Sequence, residues 1–130
     1  MTRVMSVDPG DVRIGVAISD PTALIARPLA VLDHISLQQD VSRLLELADE
    51  YDVSLIIVGL PLDSEGEIGP QARKSMRIIE ALDSHTDRAV KAWDESGSTK
   101  RAAKLQAGED LLDAHAAAVI LQDYLDVQIK

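Results

Sequence analysis

The sequence lacks several features that would point to particular classes of protein. It has no cysteine, which excludes disulfide bridges and thiolate zinc sites and fits a reducing compartment. One Trp and two Tyr are too few to support a platform on which single-stranded bases stack. No apolar run approaches the length of a membrane span, and the opening MTRVMSVD shows no signal-peptide pattern. We therefore expect a cytoplasmic protein with no membrane partner.

The composition predicts one globular domain over residues 1–130, because 46% of the residues are hydrophobic. The formal net charge of −9 argues against a polyanionic partner. The cations are unevenly distributed, however: between Asp33 and Gly69 the one Lys or Arg is Arg43, whereas residues 73–104 contain eight. The eight are Arg73, Lys74, Arg77, Arg88, Lys91, Lys100, Arg101 and Lys104. They form either ordinary solvated helix faces or a basic edge beside an acidic site.

Hydrophobic periodicity predicts an α/β fold with the order βββαβαβα. The predicted strands are 3–8, 13–19, 26–32, 53–59 and 88–93, and the predicted helices are 36–52, 71–85, a short one within 96–108, and 109–127. Short links suggest that the first three strands form an antiparallel meander, with Pro28 favouring an edge position for the third. The β-branched run VSLIIVG is typical of a central parallel strand. We therefore expect a five-stranded mixed sheet flanked by helices on both faces.

Acidic residues stand at three element ends where the pattern predicts a position facing the core. Asp8 ends the first strand in the stretch RVMSVDPGD, and Asp94 and Glu95 end the last strand. Asp113 lies early in the last helix, on a stripe whose other members are Ala116, Ala117, Ile120 and Tyr124. Each acid also has an ordinary explanation: Asp8 as a turn opener, Glu95 as a solvated loop residue, and Asp113 as a first-turn acid favoured by the helix dipole.

Taken together, these acids suggest a metal site. If the two parallel strands lie centrally, the acids reach the same edge of the sheet, where like charges repel unless a cation holds them. Hard carboxylate oxygens without His or Cys suit Mg²⁺ or Mn²⁺. His34, His85 and His115 are scattered along the chain and are predicted to be surface residues. Two such ions can activate a water and stabilise the leaving oxygen of a phosphodiester, and their charge would let an acidic protein hold a phosphate backbone.

Four stretches then carry a family resemblance: SVDPGDVRIGVAISDP, LIIVGLPLDSEGEIGPQA, DESGSTKRAAKL and LLDAHAAAVILQDYLD. In this order they resemble the YqgF/RuvX family of ribonuclease H-like proteins, over nearly the whole chain. The resemblance implies a ribonuclease H-like fold and a two-metal-ion nuclease. It implies that Asp8, Glu95 and Asp113 are the catalytic, metal-binding acids. It also implies residues that contact the substrate, namely Gly10, Arg13, Gly59, Pro61, Gly66, Lys100 and Arg101.

The sequence departs from that family just before the last helix. Ser96 stands where the family usually has Arg, and the segment between Glu95 and Asp113 is shorter than in relatives, which often have a basic one there. Phosphate contacts dominate nucleic-acid affinity, so this segment bears on binding.

Three functions therefore stay open for a chain acting as a monomer or a homodimer. These are 5′-end maturation of pre-16S rRNA, cleavage of branched DNA at Holliday junctions, and a non-catalytic nucleic-acid or ribosome-assembly module. A fourth class, the sugar kinases and actin-like ATPases, has a similar D-P-G-x-x-x-x-G phosphate loop but needs two such domains.

Overall fold

The computed structural model describes residues 3–62, 65–94 and 112–129. In chain order it contains β1 (Arg3–Asp8), β2 (Arg13–Ser19), β3 (Ala26–Asp33), α1 (Leu37–Glu50), β4 (Val53–Leu60), α2 (Pro70–His85), β5 (Ala89–Asp94) and α3 (Leu112–Ile129). The five predicted strands and three of the predicted helices are therefore confirmed, at or close to their predicted bounds. The predicted short helix within 96–108 lies outside the described residues.

The strands form a mixed sheet in the order β3-β2-β1-β4-β5. The pairs β1–β2 and β2–β3 are antiparallel, whereas β1–β4 and β4–β5 are parallel. This confirms the predicted meander, the edge position of the strand with Pro28 and the interior position of the VSLIIVG strand. Because β1, β4 and β5 are parallel, their carboxyl ends reach one edge of the sheet, which we call the Asp8 edge.

Helices cover both faces of this sheet because the central strands alternate between two apolar cores. In β1, Met5 and Val7 join the core built with α1 and α2, whereas Val4 joins the core built with α3. The first core includes Val41, Leu44 and Ala48 of α1 with Ile78 and Leu82 of α2; the second includes Ala117, Ile120, Leu121 and Tyr124 of α3. The sheet is thus the middle of three layers, and each of its two apolar faces is buried by helices.

Two hydrogen bonds fix the direction of α3 across the sheet. Near its start, the backbone oxygen of Ala117 accepts from Ser6 Oγ in β1 at 2.6 Å. Further along, Gln122 Oε1 accepts from the backbone N–H of Ala26, which pairs with Ser19 at the end of the sheet where β1 begins. The helix therefore runs against β1, and its first turn lies at the Asp8 edge.

Local signals account for the helix ends. Ser36 is the N-cap of α1, since its Oγ accepts from the backbone N–H of Gln39 at 3.2 Å. This helix ends at Glu50, slightly earlier than predicted, because Asp52 takes a left-handed φ of 54° that turns the chain into β4. Pro70 begins α2, where its missing N–H is no loss. In the part of the chain described here, none of the helices has the length and apolarity needed to cross a membrane.

Candidate active site

Asp8 is the last residue of β1, and only 4% of its surface is exposed. The two-residue period of the strand puts it on the same face as Val4 and Ser6, the face that α3 covers. Its backbone pairs with Gly15 of β2. Asp8 is therefore buried like a core residue, unlike a solvated turn residue, and its position is fixed by the sheet.

The first turn of α3 reaches the same level of the structure. Ser6 donates a hydrogen bond to Ala117, and Asp8 lies two residues further along the strand, which corresponds to a rise of about 6.6 Å toward the Asp8 edge. Four helix residues lead back from Ala117 to Asp113, a rise of about 6 Å in the same direction. The backbones of the two predicted acids thus advance to the Asp8 edge by similar amounts. The side chain of Asp113 lies outside the described part.

β5 also ends at the Asp8 edge, and Trp93 near its end points to the face of the sheet that α3 covers. The ring of Trp93 meets that of Tyr124 in α3 edge-on, with centroids 5.2 Å apart, so the end of β5 faces α3. Asp94 is the last strand residue, and Glu95 lies outside the described residues. Among the described side chains, no group of three or more His, Asp or Glu residues could hold a metal, and Asp8 is the one predicted ligand among them. The three-acid site stays a prediction.

The turn after Asp8 is held against α2. Gln71 Nε2 donates to Asp11 Oδ2 at 3.4 Å, and Lys74 forms an ion pair with the same carboxylate. The hydrogen bond from Lys74 is the largest cause that lowers the pKa of Asp11, followed by that from Gln71. Gly10 is required here because a Cβ would overlap the carbonyl oxygen of Arg13. The need for glycine therefore comes from the chain's own turn.

The other residues predicted to contact the substrate differ in how close they lie to the Asp8 edge. Gly59 is buried near the end of β4 and pairs with Trp93, and Pro61 follows the strand half-buried, so both stand at the Asp8 edge. Gly66 is exposed in the loop beyond, with a φ of 78° that favours glycine. Arg13 is the half-buried first residue of β2 at this edge. The other two, Lys100 and Arg101, lie outside the described residues.

Sequence reasoning missed a buried acid near this edge. Asp40 in α1 is 1% exposed and accepts from the backbone N–H of Ile35 at 3.0 Å and from Arg43 Nη2 at 2.7 Å. His34 Nδ1 also contacts its carboxylate. Burial alone would raise the pKa of Asp40, but these partners outweigh burial and lower it. Acidic residues are common in the first turn of a helix, so the sequence does not indicate that Asp40 is buried.

The three histidines are exposed, as predicted. Ser6 was also missed, although a serine within a buried strand run is a signal that a partner exists.

The architecture matches that of solved Holliday junction resolvases. The RuvC resolvase of T. thermophilus, solved with a Holliday junction substrate, matches with a TM-score of 0.65 over 99% of this chain and 96% of its own, at 17% identity. The fowlpox virus Holliday junction resolvase matches with a TM-score of 0.65 over 98% of this chain and 99% of its own, at 16% identity. The chain therefore has the ribonuclease H-like fold of the resolvases, as predicted.

Sequence comparison gives the particular family. The model of the RuvX family, described as Holliday junction resolvase, matches residues 2–127. A protein of Desulforamulus reducens named "Putative pre-16S rRNA nuclease" is 39% identical over 98% of this chain and 99% of its own length. A protein of Symbiobacterium thermophilum with the same name is 40% identical over 97% of this chain and 93% of its own. The chain belongs to the RuvX family, which confirms the resemblance found in the sequence.

Proposed function

We propose that this chain is a cytoplasmic metal-dependent nuclease that hydrolyses phosphodiester bonds in pre-16S rRNA during maturation of its 5′ end. One observation carries the proposal: a buried carboxylate, Asp8, ends a central strand under the helix whose first turn contains Asp113. The names of the relatives support the RNA substrate. In this proposal Asp8, Glu95 and Asp113 are the catalytic acids.

The chemistry of these donors fits Mg²⁺ or Mn²⁺, because carboxylate oxygens are the ligands that such hard cations prefer. A buried carboxylate such as Asp8 also gains from a cation more than an exposed one does, since water screens it less. When bound, two such ions supply an activated water and stabilise the charge on the leaving oxygen. Asp8, Glu95 and Asp113 would hold them.

The rest of the chain would position the substrate and keep the acids in place. β1 is paired on both sides, so the backbone of Asp8 has little freedom. The turn that follows is held by α2 through Asp11. We propose that the phosphodiester is contacted by residues around this edge, namely Gly10, Arg13, Gly59, Pro61, Gly66, Lys100 and Arg101.

The test is cleavage of a pre-16S rRNA substrate with Mg²⁺ or Mn²⁺, compared between wild type and Asp8→Asn. We expect Asp8→Asn to lose at least about 100-fold in rate, since one ligand of a charge-stabilising site is removed. Asp83→Asn is the matched control, because Asp83 is exposed in the last part of α2, away from the Asp8 edge. Equal rates for wild type and Asp8→Asn would refute the proposal.

A second candidate is a DNA endonuclease that cuts Holliday junctions, which the description of the RuvX family favours. The acids cannot separate the two substrates, because the same chemistry cuts both. Junction cutting needs two sites and hence a homodimer. A side-by-side assay on four-way junctions and rRNA precursors, with the oligomeric state measured, decides between them. RNA binding without metal-dependent cutting by the wild type would instead support the non-catalytic module.

A further inference from the structure

A cleft opens at the Asp8 edge on the side of the sheet opposite α3. It has a volume of about 140 Å³ and lies between the turn after β1, the start of α1, and α2. Its apolar floor includes Ile14 and Ile78, which belong to the core under α1 and α2. Polar groups stand around this floor: Asp11, His34, Asp40, Lys74 and Arg77.

The two carboxylates of the cleft already have cationic partners. Asp11 is paired with Lys74 and Asp40 with Arg43, and His34 Nδ1 also contacts the Asp40 carboxylate. In contrast, Arg77 makes no ion pair within the described part of the chain. Among the described residues that line the cleft, Arg77 is thus the cation without a carboxylate partner.

The exposed face of α2 extends this positive charge. Arg73 lies one turn before Arg77, is exposed, and is likewise unpaired among the residues that the structure describes. Arg88, in contrast, is engaged elsewhere, because it donates to the carbonyl oxygen of Val53 and to Asp49, each at 2.6 Å. Arg73, Lys74 and Arg77 thus form a compact basic surface, which we call the α2 surface.

The stability of α2 does not explain Arg73 and Arg77, whereas Lys74 has a partner in Asp11. Arg73 ends the first turn, where the macrodipole is positive and no acid is present, and Arg77 lies one turn further on. Arg73 and Arg77 also repel one another at a spacing of one turn. In a chain of net charge −9, the exposed Arg73 and Arg77 thus stand one turn apart with no acidic partner among the described residues.

We propose that the α2 surface and its cleft bind phosphate groups of a nucleic-acid strand that passes over the Asp8 edge. The strand's path past Asp8 rests on the proposed function, whereas phosphate binding at α2 does not. Arg77 and Arg73 contact phosphate oxygens through their guanidinium groups, which present paired N–H donors. Lys74 keeps the turn after Asp8 attached to this surface through Asp11. Such contacts set the position of the strand without reading its sequence.

The experiment measures binding of a fluorescein-labelled duplex RNA by anisotropy as a function of KCl concentration. The full chain carries Asp8→Asn throughout, so that the probe stays intact. Arg77→Gln is compared with Arg27→Gln, which removes the same charge from an exposed position near the start of β3, at the opposite end of the sheet. Thermal melting verifies that each variant is folded.

We expect Arg77→Gln to weaken binding roughly fivefold to tenfold at about 0.1 M salt and to reduce the salt slope by about one. Arg27→Gln should stay within about twofold of its parent, and Arg77→Lys should restore much of the affinity. Equal losses for Arg77→Gln and Arg27→Gln would show a general charge effect and overturn the proposal, as would no binding by the parent.

The two proposals fail separately in these experiments. Binding that depends on Arg77 in a protein whose wild type cuts nothing would uphold the α2 surface and reject the nuclease. Metal-dependent cutting with binding that is indifferent to Arg77 would uphold the nuclease and reject the α2 surface.

Discussion

Replacing Ser6 by alanine tests how the predicted acids are held together. The change removes the hydroxyl that donates to the backbone oxygen of Ala117 at 2.6 Å, in a residue with no exposed surface. That oxygen keeps its helical N–H partner, so no buried donor is left without an acceptor. We therefore expect Ser6→Ala to lower the free energy of unfolding by about 1 kcal/mol. For a chain of this size, this corresponds to a Tm lower by roughly 3–5 °C.

The effect on catalysis should exceed the effect on stability. Ser6 lies two residues before Asp8, and Ala117 lies one turn after Asp113, so this bond sets the height of α3 on β1. A displacement of about 1 Å between reacting groups can cost about 100-fold in rate. We expect Ser6→Ala to lower kcat for metal-dependent cleavage by roughly 10-fold to 100-fold with little change in KM. The rates are measured well below the Tm of both proteins.

Ser19→Ala is the matched control. Ser19 is also a buried serine, and its Oγ accepts from the backbone N–H of Val4 at 2.9 Å, but at the end of the sheet away from Asp8. Its removal leaves a buried N–H unpaired and should cost about 1–3 kcal/mol, with kcat unchanged. A wild-type kcat for Ser6→Ala, or an equal loss of kcat in both variants, would refute the argument that this bond positions the site.

Two further variants test the surroundings of the site. Gly10→Ala places a Cβ against the carbonyl oxygen of Arg13 and should lower the unfolding free energy by about 1–3 kcal/mol. Gly69→Ala meets open space but replaces the N-cap of α2, so it should lower the unfolding free energy less; equal Tm values for the two variants would contradict this. The pKa of Asp40 is lowered in the folded state, so its stabilising effect is present above its unfolded pKa and is lost as the pH falls through its folded pKa. The Tm difference between wild type and Asp40→Asn should therefore be largest near neutral pH and narrow below about pH 4, and a difference that persists unchanged in acid would exclude this role.

The elements of the fold and their faces could be predicted from sequence because they are local. The period-two pattern of β1, the β-branched run of β4 and the cap at Ser36 each act within a few residues. Asp8 could be singled out for the same reason, since an acid that directly follows a buried run conflicts with its surroundings. The predicted end of α1, at residue 52, lies beyond the observed end at Glu50, because the left-handed φ at Asp52 leaves no periodic signal.

By itself, the sequence determined which side of each helix and strand is apolar. That pattern was enough to predict a sheet with helices on both faces and to single out the acid at the end of β1. Only the tertiary structure decided which distant groups meet: Ser6 with Ala117, and Asp11 with Lys74. These contacts depend on the order of strands and the direction of α3, which follow from packing the whole core. Such pairs join residues far apart in the chain, and no local period encodes them.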